Sequence, residues 1–206
     1  MLPHARPITL VLTTLFAAAC ADTTHPSEVN AEELITTVAL LAHPVDGGAD
    51  VTATWADPES DGSPVVDVLL LNANTTYELT VAFLNEAADP SVDQTPEIEA
   101  ESDQHQLFFT GGSVNSPATG STDGILTLSY ADADVNGLPV GLKDTLEVGK
   151  AGDASLQVVL RHLPPEGGVP VKVEGLAEQL AASGLASLPG ETDAQVEFAV
   201  TVEAAR

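Results

Sequence analysis

Gln195-Val-Glu-Phe-Ala-Val-Thr-Val-Glu203, near the end of the chain, is the stretch that decides the fold class. Val196, Phe198, Val200 and Val202 alternate with Gln195, Glu197, Thr201 and Glu203. Side chains on an extended chain point to opposite faces in turn, so this period of two marks a half-buried strand. The same pattern recurs upstream. Leu34, Thr36, Val38 and Leu40 face one way. Val51, Ala53 and Trp55 alternate with threonines, and Tyr77, Leu79, Val81 and Phe83 with Thr76, Glu78 and Thr80. Leu107 with Phe109, Leu126 with Leu128 and Tyr130, and Leu156 with Val158 and Leu160 continue it. Val65 to Leu71 is apolar on both faces and predicts a central strand.

Turn clusters separate these runs: Asp46-Gly47-Gly48, Asp61-Gly62-Ser63-Pro64, Asn136-Gly137 and Gly167-Gly168. About eight or nine short strands at such spacing predict an all-β, antiparallel sandwich of immunoglobulin-like type. One or two short helices are expected within it, from two candidate segments. One falls in Thr95 to Gln106, with Pro96 at its first position. The other is Leu176 to Ala182, closed by Gly184.

The N-terminal end reads differently. Arg6 precedes an apolar run, Ile8 to Ala19, of about twelve residues, too short to span a bilayer but suited to a signal peptide. Ala17-Ala18-Ala19 then precede Cys20, the one cysteine of the chain. This arrangement resembles the lipobox of bacterial lipoproteins, although the usual leucine is displaced to Leu15. The resemblance implies cleavage before Cys20 and acylation of that residue. Ala21, rather than an aspartate, implies the outer membrane. The expected organisation is a leader over 1–19, a lipidated Cys20 and polar tether over 20–32, and a β-sandwich over 33–206. The partners expected are the membrane, through the lipid, and a receptor in the outer membrane.

Charge narrows the function. Six Lys and Arg stand against 31 Asp and Glu, a net charge of −25. A nucleic-acid binder needs a basic face to displace counterions, so that class is excluded. Docking on an anionic membrane by protein charge is disfavoured too. Hydrophobic residues make up 44% of the chain, enough for a packed core. No G-x-S-x-G, H-E-x-x-H, phosphate loop or C-x-x-C is present, and the chain reads as non-enzymatic.

Two kinds of candidate site remain. Asp132-Ala-Asp134-Val-Asn136-Gly137 places oxygen side chains at alternate positions before a glycine, a spacing that can curl three ligands around calcium. Asp57-Pro-Glu59-Ser-Asp61-Gly62 repeats it. Neither has the twelfth-position acid of an EF-hand; Lys143 and Val68 stand there, and Asp144 is a further oxygen donor. The same residues also make ordinary hairpin turns. Secondly, His105 shares the parity of Leu107 and Phe109, and His162 that of Leu156, Val158 and Leu160. Each faces the apolar side of its strand at a strand end, as does His43 after Leu41. Two imidazoles and a carboxylate (Glu101, Asp103 or Glu191) would suit zinc or another transition metal. The expected function is cation binding at strand-end loops, calcium at the first kind of site or a transition metal at the second. A structural or adhesion module that calcium stiffens, and a hydrolase with an unrecognised site, are the rival readings.

Asn30-Ala-Glu32-Glu33-Leu34-Ile35-Thr36-Thr37-Val38 resembles the N-E-E-E-x-I-T-T start of a family of uncharacterised bacterial surface lipoproteins. The likeness runs on through Leu71 to Tyr77, Leu84 to Glu86, Asp103 to Phe109, Tyr130 to Leu142, Leu160 to His162 and Gly190 to Asp193. Members often carry the label "type 1 periplasmic binding fold superfamily protein", which implies an α/β fold; the alternation predicts strands alone. The family has Glu before His105 and after His162, where this chain has Gln104 and Leu163.

Overall fold

The computed structural model describes residues 34–204. The leader, Cys20 and the tether lie outside the described residues. Among those described, no helix is long and apolar enough to cross a membrane.

The described residues form twelve strands: β1 (Thr37–Pro44), β2 (Val51–Ala56), β3 (Val65–Val66), β4 (Leu69–Asn72), β5 (Thr76–Asn85), β6 (Val92–Asp93), β7 (His105–Thr110), β8 (Val114–Asn115), β9 (Leu126–Tyr130), β10 (Lys143–Val148), β11 (Gly152–His162) and β12 (Glu191–Glu203). Helix α1 (Thr95–Ala100) precedes β7, and α2 (Leu176–Ser183) precedes β12. The fold is all-β and not α/β. β3, β6 and β8 are two-residue strands. Of the nine longer ones the alternation marks seven; β4 falls in the Val65 to Leu71 stretch, and β10 is a strand the sequence reading does not single out.

One sheet runs β3-β2-β1-β5-β10-β9-β8, with β6 added beside β5; the other runs β4-β12-β11-β7. Most neighbours are antiparallel, and β4–β12 and β8–β9 are parallel. The inner faces share one core. Val38, Leu40, Tyr77, Leu79 and Phe83 come from the first sheet, and Leu107, Leu156, Val158, Phe198 and Val200 from the second. Burial of these side chains, at about 2 kcal/mol each, is what holds the two layers together.

Two expectations need correction. Val65 to Leu71 is not a central strand: it crosses from one sheet to the other and lies at an edge of each. Asp67 marks the crossing, and its carboxylate accepts the N–H of Thr54. Val65, Val66, Val68 and Leu70 are exposed as a result. Leu34 also stands outside the core, ahead of β1, and is exposed.

The helices fall where expected, α1 with its proline in the first turn and α2 closed by Gly184 at φ 79°. Helix α2 covers the outer face of the smaller sheet. Leu176 and Ala177 pack there with Phe108, Val159, Leu163 and Leu188 in a second apolar cluster. Arg161 is buried on the same strand, its guanidinium donating to the carbonyls of Leu188, Pro189 and Gly190 and to Thr192 Oγ1. These bonds fix the turn that leads into β12.

Candidate metal centre

The two histidines meet because β7 and β11 are neighbours and their register pairs His105 with His162 directly. Both side chains stand on the inner face at the end of the sheet. Their rings stack with centroids 4.7 Å apart and planes within 9° of each other. The turn that joins α1 to β7 brings Glu101 to the same place. Donor atoms of Glu101, His105 and His162 all lie within 4.8 Å of one another.

His105 is fully buried. Burial pushes its pKa down to about 4, with His162 and Lys172 acting in the same sense, so the ring is neutral at neutral pH. Its Nδ1 lies 3.1 Å from the backbone carbonyl oxygen of Glu101. A carbonyl can only accept, so Nδ1 carries the proton and Nε2 is the lone-pair nitrogen. That is the arrangement by which proteins commonly orient a ligating imidazole. Asp193 Oδ2 lies 3.8 Å from Nε2, with its side chain 11% exposed. One carboxylate oxygen of Glu101, Oε2, is buried without a hydrogen-bond partner among the described residues.

A buried ion pair adjoins this cluster. Lys172 Nζ lies 2.9 Å from Asp134 Oδ2 and donates to the carbonyl of Ser102, the residue after Glu101, at 2.7 Å. Burial pulls the Lys172 ammonium below its ordinary range, and Asp134 opposes the change.

Of the three carboxylates weighed from sequence, Glu101 is the one that reaches the histidines. Asp103 is exposed, and Glu191 stands exposed across from His162 on β12. Asp193 is the acid that sequence reasoning misses. Arg161 pairs with Thr192 and Leu160 with Ala194, so Asp193 is the extra residue of a β-bulge. Strict alternation sets it opposite Val196 and Phe198; the bulge turns it towards His105. Gly190, just before, has φ 71°, and a Cβ there would come within 2.0 Å of the His162 carbonyl oxygen. A glycine three residues ahead of the bulged Asp193 was the available signal.

The loop acids do not converge as a donor set. Asp132 accepts the N–H groups of Gly141, Leu142 and Lys143. Asp134 accepts those of Asn136 and Leu138. The Asn136 side chain faces solvent. In the other loop Asp57 accepts the N–H groups of Asp61 and Gly62, Asp61 accepts that of Ser63, and Glu59 is exposed. These carboxylates brace their own turns, which is why the D-x-D-x-N-G spacing is ambiguous. His43 pairs with Asp50 at the surface, at 2.6 Å, away from the trio. A cleft of about 570 Å³ between the 132–139 loop and the start of α2 is lined by Gln106, Tyr130, Asn136, Glu174 and Glu178. Its lining holds no serine or histidine, and so no nucleophile–base pair of that kind.

The chain matches no protein-family model, and no significant match was found among curated proteins or solved structures.

Proposed function

We propose that this is a lipid-anchored extracytoplasmic protein that binds a borderline divalent metal of the zinc class through Glu101, His105 and His162, without catalysing a reaction. One observation carries the reading: two imidazoles and a carboxylate, brought together from the turn into β7 and from the end of β11, present donor atoms within 4.8 Å. Imidazole nitrogen suits zinc, nickel or copper(II) and is foreign to calcium, which takes oxygen ligands. The calcium-stiffened module draws on the two acidic turns, where the carboxylates already serve backbone N–H groups. An outer-membrane receptor remains the partner proposed for a protein anchored this way.

Calorimetry on the chelator-stripped full chain in detergent tests the site. Zinc is expected to bind one equivalent. His105→Ala and His162→Ala should each weaken binding by a hundredfold or more, on the order of or beyond the effect of losing an outer-shell partner. Calcium should give no heat. Heat with calcium alone, or with neither ion, would overturn the assignment. For the anchor, mass spectrometry of the mature chain should find an acylated Cys20 as the first residue; an unmodified cysteine would rule the anchor out.

A further inference from the structure

We infer that Asp193 is a fourth ligand to this metal, making the centre a closed site with two histidines and two carboxylates. The inference rests on the reading of the site as a metal centre. Three arguments support it.

The first is placement. Asp193 stands outside the trio but 3.8 Å from His105 Nε2, the ring nitrogen that can bind a metal. Ligand atoms about 2.1 Å from one tetrahedral zinc lie about 3.4 Å from each other. The observed separation is close to that edge, beside a trio whose donor atoms lie within 4.8 Å of one another.

The second is backbone design. Without a bulge, Asp193 would face away from the core like Gln195 and Glu197. One inserted residue, at the level of Arg161, turns it inward beside the histidines. Bulges recur where a strand has to re-aim a single side chain, and this one re-aims an acid. Gly190 permits the close approach of β12 to His162 that the arrangement requires.

The third is charge. A dication held by two neutral imidazoles and Glu101 alone keeps one net positive charge. That charge would sit near the buried ammonium of Lys172, which is bonded to the adjacent Ser102 carbonyl. An isolated charge is costly in such a place. Asp193 brings the site to neutrality. Four protein ligands then leave no position for water, which makes the centre a holding site and not a reactive one.

Cobalt(II) loaded into the full chain reads this directly, because a three-ligand site keeps a metal-bound water and a four-ligand site does not. A zinc-class water ionises near pH 7 and exchanges for small anions. The visible spectrum of the wild-type cobalt complex is expected to be the same at pH 6 and pH 9 and unmoved by azide. In Asp193→Asn the spectrum should respond to both, and zinc affinity should fall by roughly a hundredfold or more. Asp103→Asn, at the exposed neighbouring acid, should change neither. A wild-type spectrum that shifts with azide overturns the fourth ligand whether or not the variant folds. So does an Asp193→Asn protein that binds zinc as tightly as wild type; in both cases the three-ligand site stands. A wild-type chain that binds neither cobalt nor zinc defeats the metal reading itself.

Discussion

Asp144→Asn is expected to raise the melting temperature by about 10 °C at neutral pH, an unusual gain for one substitution. Asp144 lies on β10 with the inward parity of Leu146 and Val148, and is 2% exposed. Neither of its carboxylate oxygens has a hydrogen-bond partner among the described residues. Its cross-strand neighbours are Tyr130 and Leu79. The Tyr130 hydroxyl donates elsewhere, to the Leu107 carbonyl. Burial, with Asp132 adding repulsion, pushes the carboxyl up to about 8 from an ordinary 3.8. The sign follows from proton linkage. Below about pH 4 the acid is protonated in both folded and unfolded chains, and it costs no stability through titration. From there to about pH 8 the unfolded chain releases the proton while the folded chain keeps it, and stability falls by about 1.4 kcal/mol per unit. At pH 7 the deficit is roughly 4 kcal/mol. Asparagine has the same shape and no proton to lose. Its advantage should be near zero at pH 4, grow steadily to about pH 8 and then level off. Thermal melts of both proteins across that range check it. A constant difference, or a loss at every pH, would mean that Asp144 is ionised and paired in the folded chain.

Asp144 also shows how much of the molecule its sequence discloses. The alternation along β12, β11 and β5 specifies the layers, because only a two-faced strand repeats at two. Pro96 and Gly184 delimit the helices for equally local reasons. What stays hidden comes from neighbours distant in the chain. Phe108 and Val159 sit on the outer parity of their strands and read as exposed, yet α2 covers them. Val65 to Leu71 has the composition of a central strand, and nothing local says that it divides between two sheets at Asp67. At the site, the parity of His105 and His162 places both on the inner face at strand ends, but their pairing needs the β7–β11 register. Asp193 could not be found by alternation, since its position depends on a breach of alternation. The acids of the two turn loops show the reverse problem. The pattern that would gather a calcium ion is the same pattern that lets one carboxylate brace its own turn, and their N–H bonds take the second course.

Lys172→Met is expected to be the most damaging change outside the hydrophobic core, costing about 3–5 kcal/mol at neutral pH. The ammonium and the Asp134 carboxylate are 1% and 0% exposed, and removing the cation leaves the anion buried without its counter-charge. Burial by itself would raise the Asp134 carboxyl. The N–H groups of Leu138 and Asn136 and the charge of Lys172 outweigh it and hold the group below its ordinary range. Such a depressed acid contributes stability above its unfolded pKa and loses it as pH falls through the folded value. In Lys172→Met the part of the depression that Lys172 supplies is lost while the two N–H bonds remain, so the variant's deficit should be largest at neutral pH and shrink on acidification, as Asp134 takes up a proton. Asp134→Asn in the same chain removes the stranded charge and keeps an oxygen for the two N–H groups. The double variant should recover more than half of the loss, a coupling that denaturant melts of the single and double variants measure. Equal losses in Lys172→Met and in the double variant would show the pair to be uncoupled. Lys172 also holds the Ser102 carbonyl, next to Glu101. If that bond fixes the Glu101 carboxylate towards the histidines, zinc affinity should fall several-fold in Lys172→Met and stay low in the double variant, whose recovered stability does not restore the bond to Ser102. Unchanged zinc affinity would confine Lys172 to stability alone.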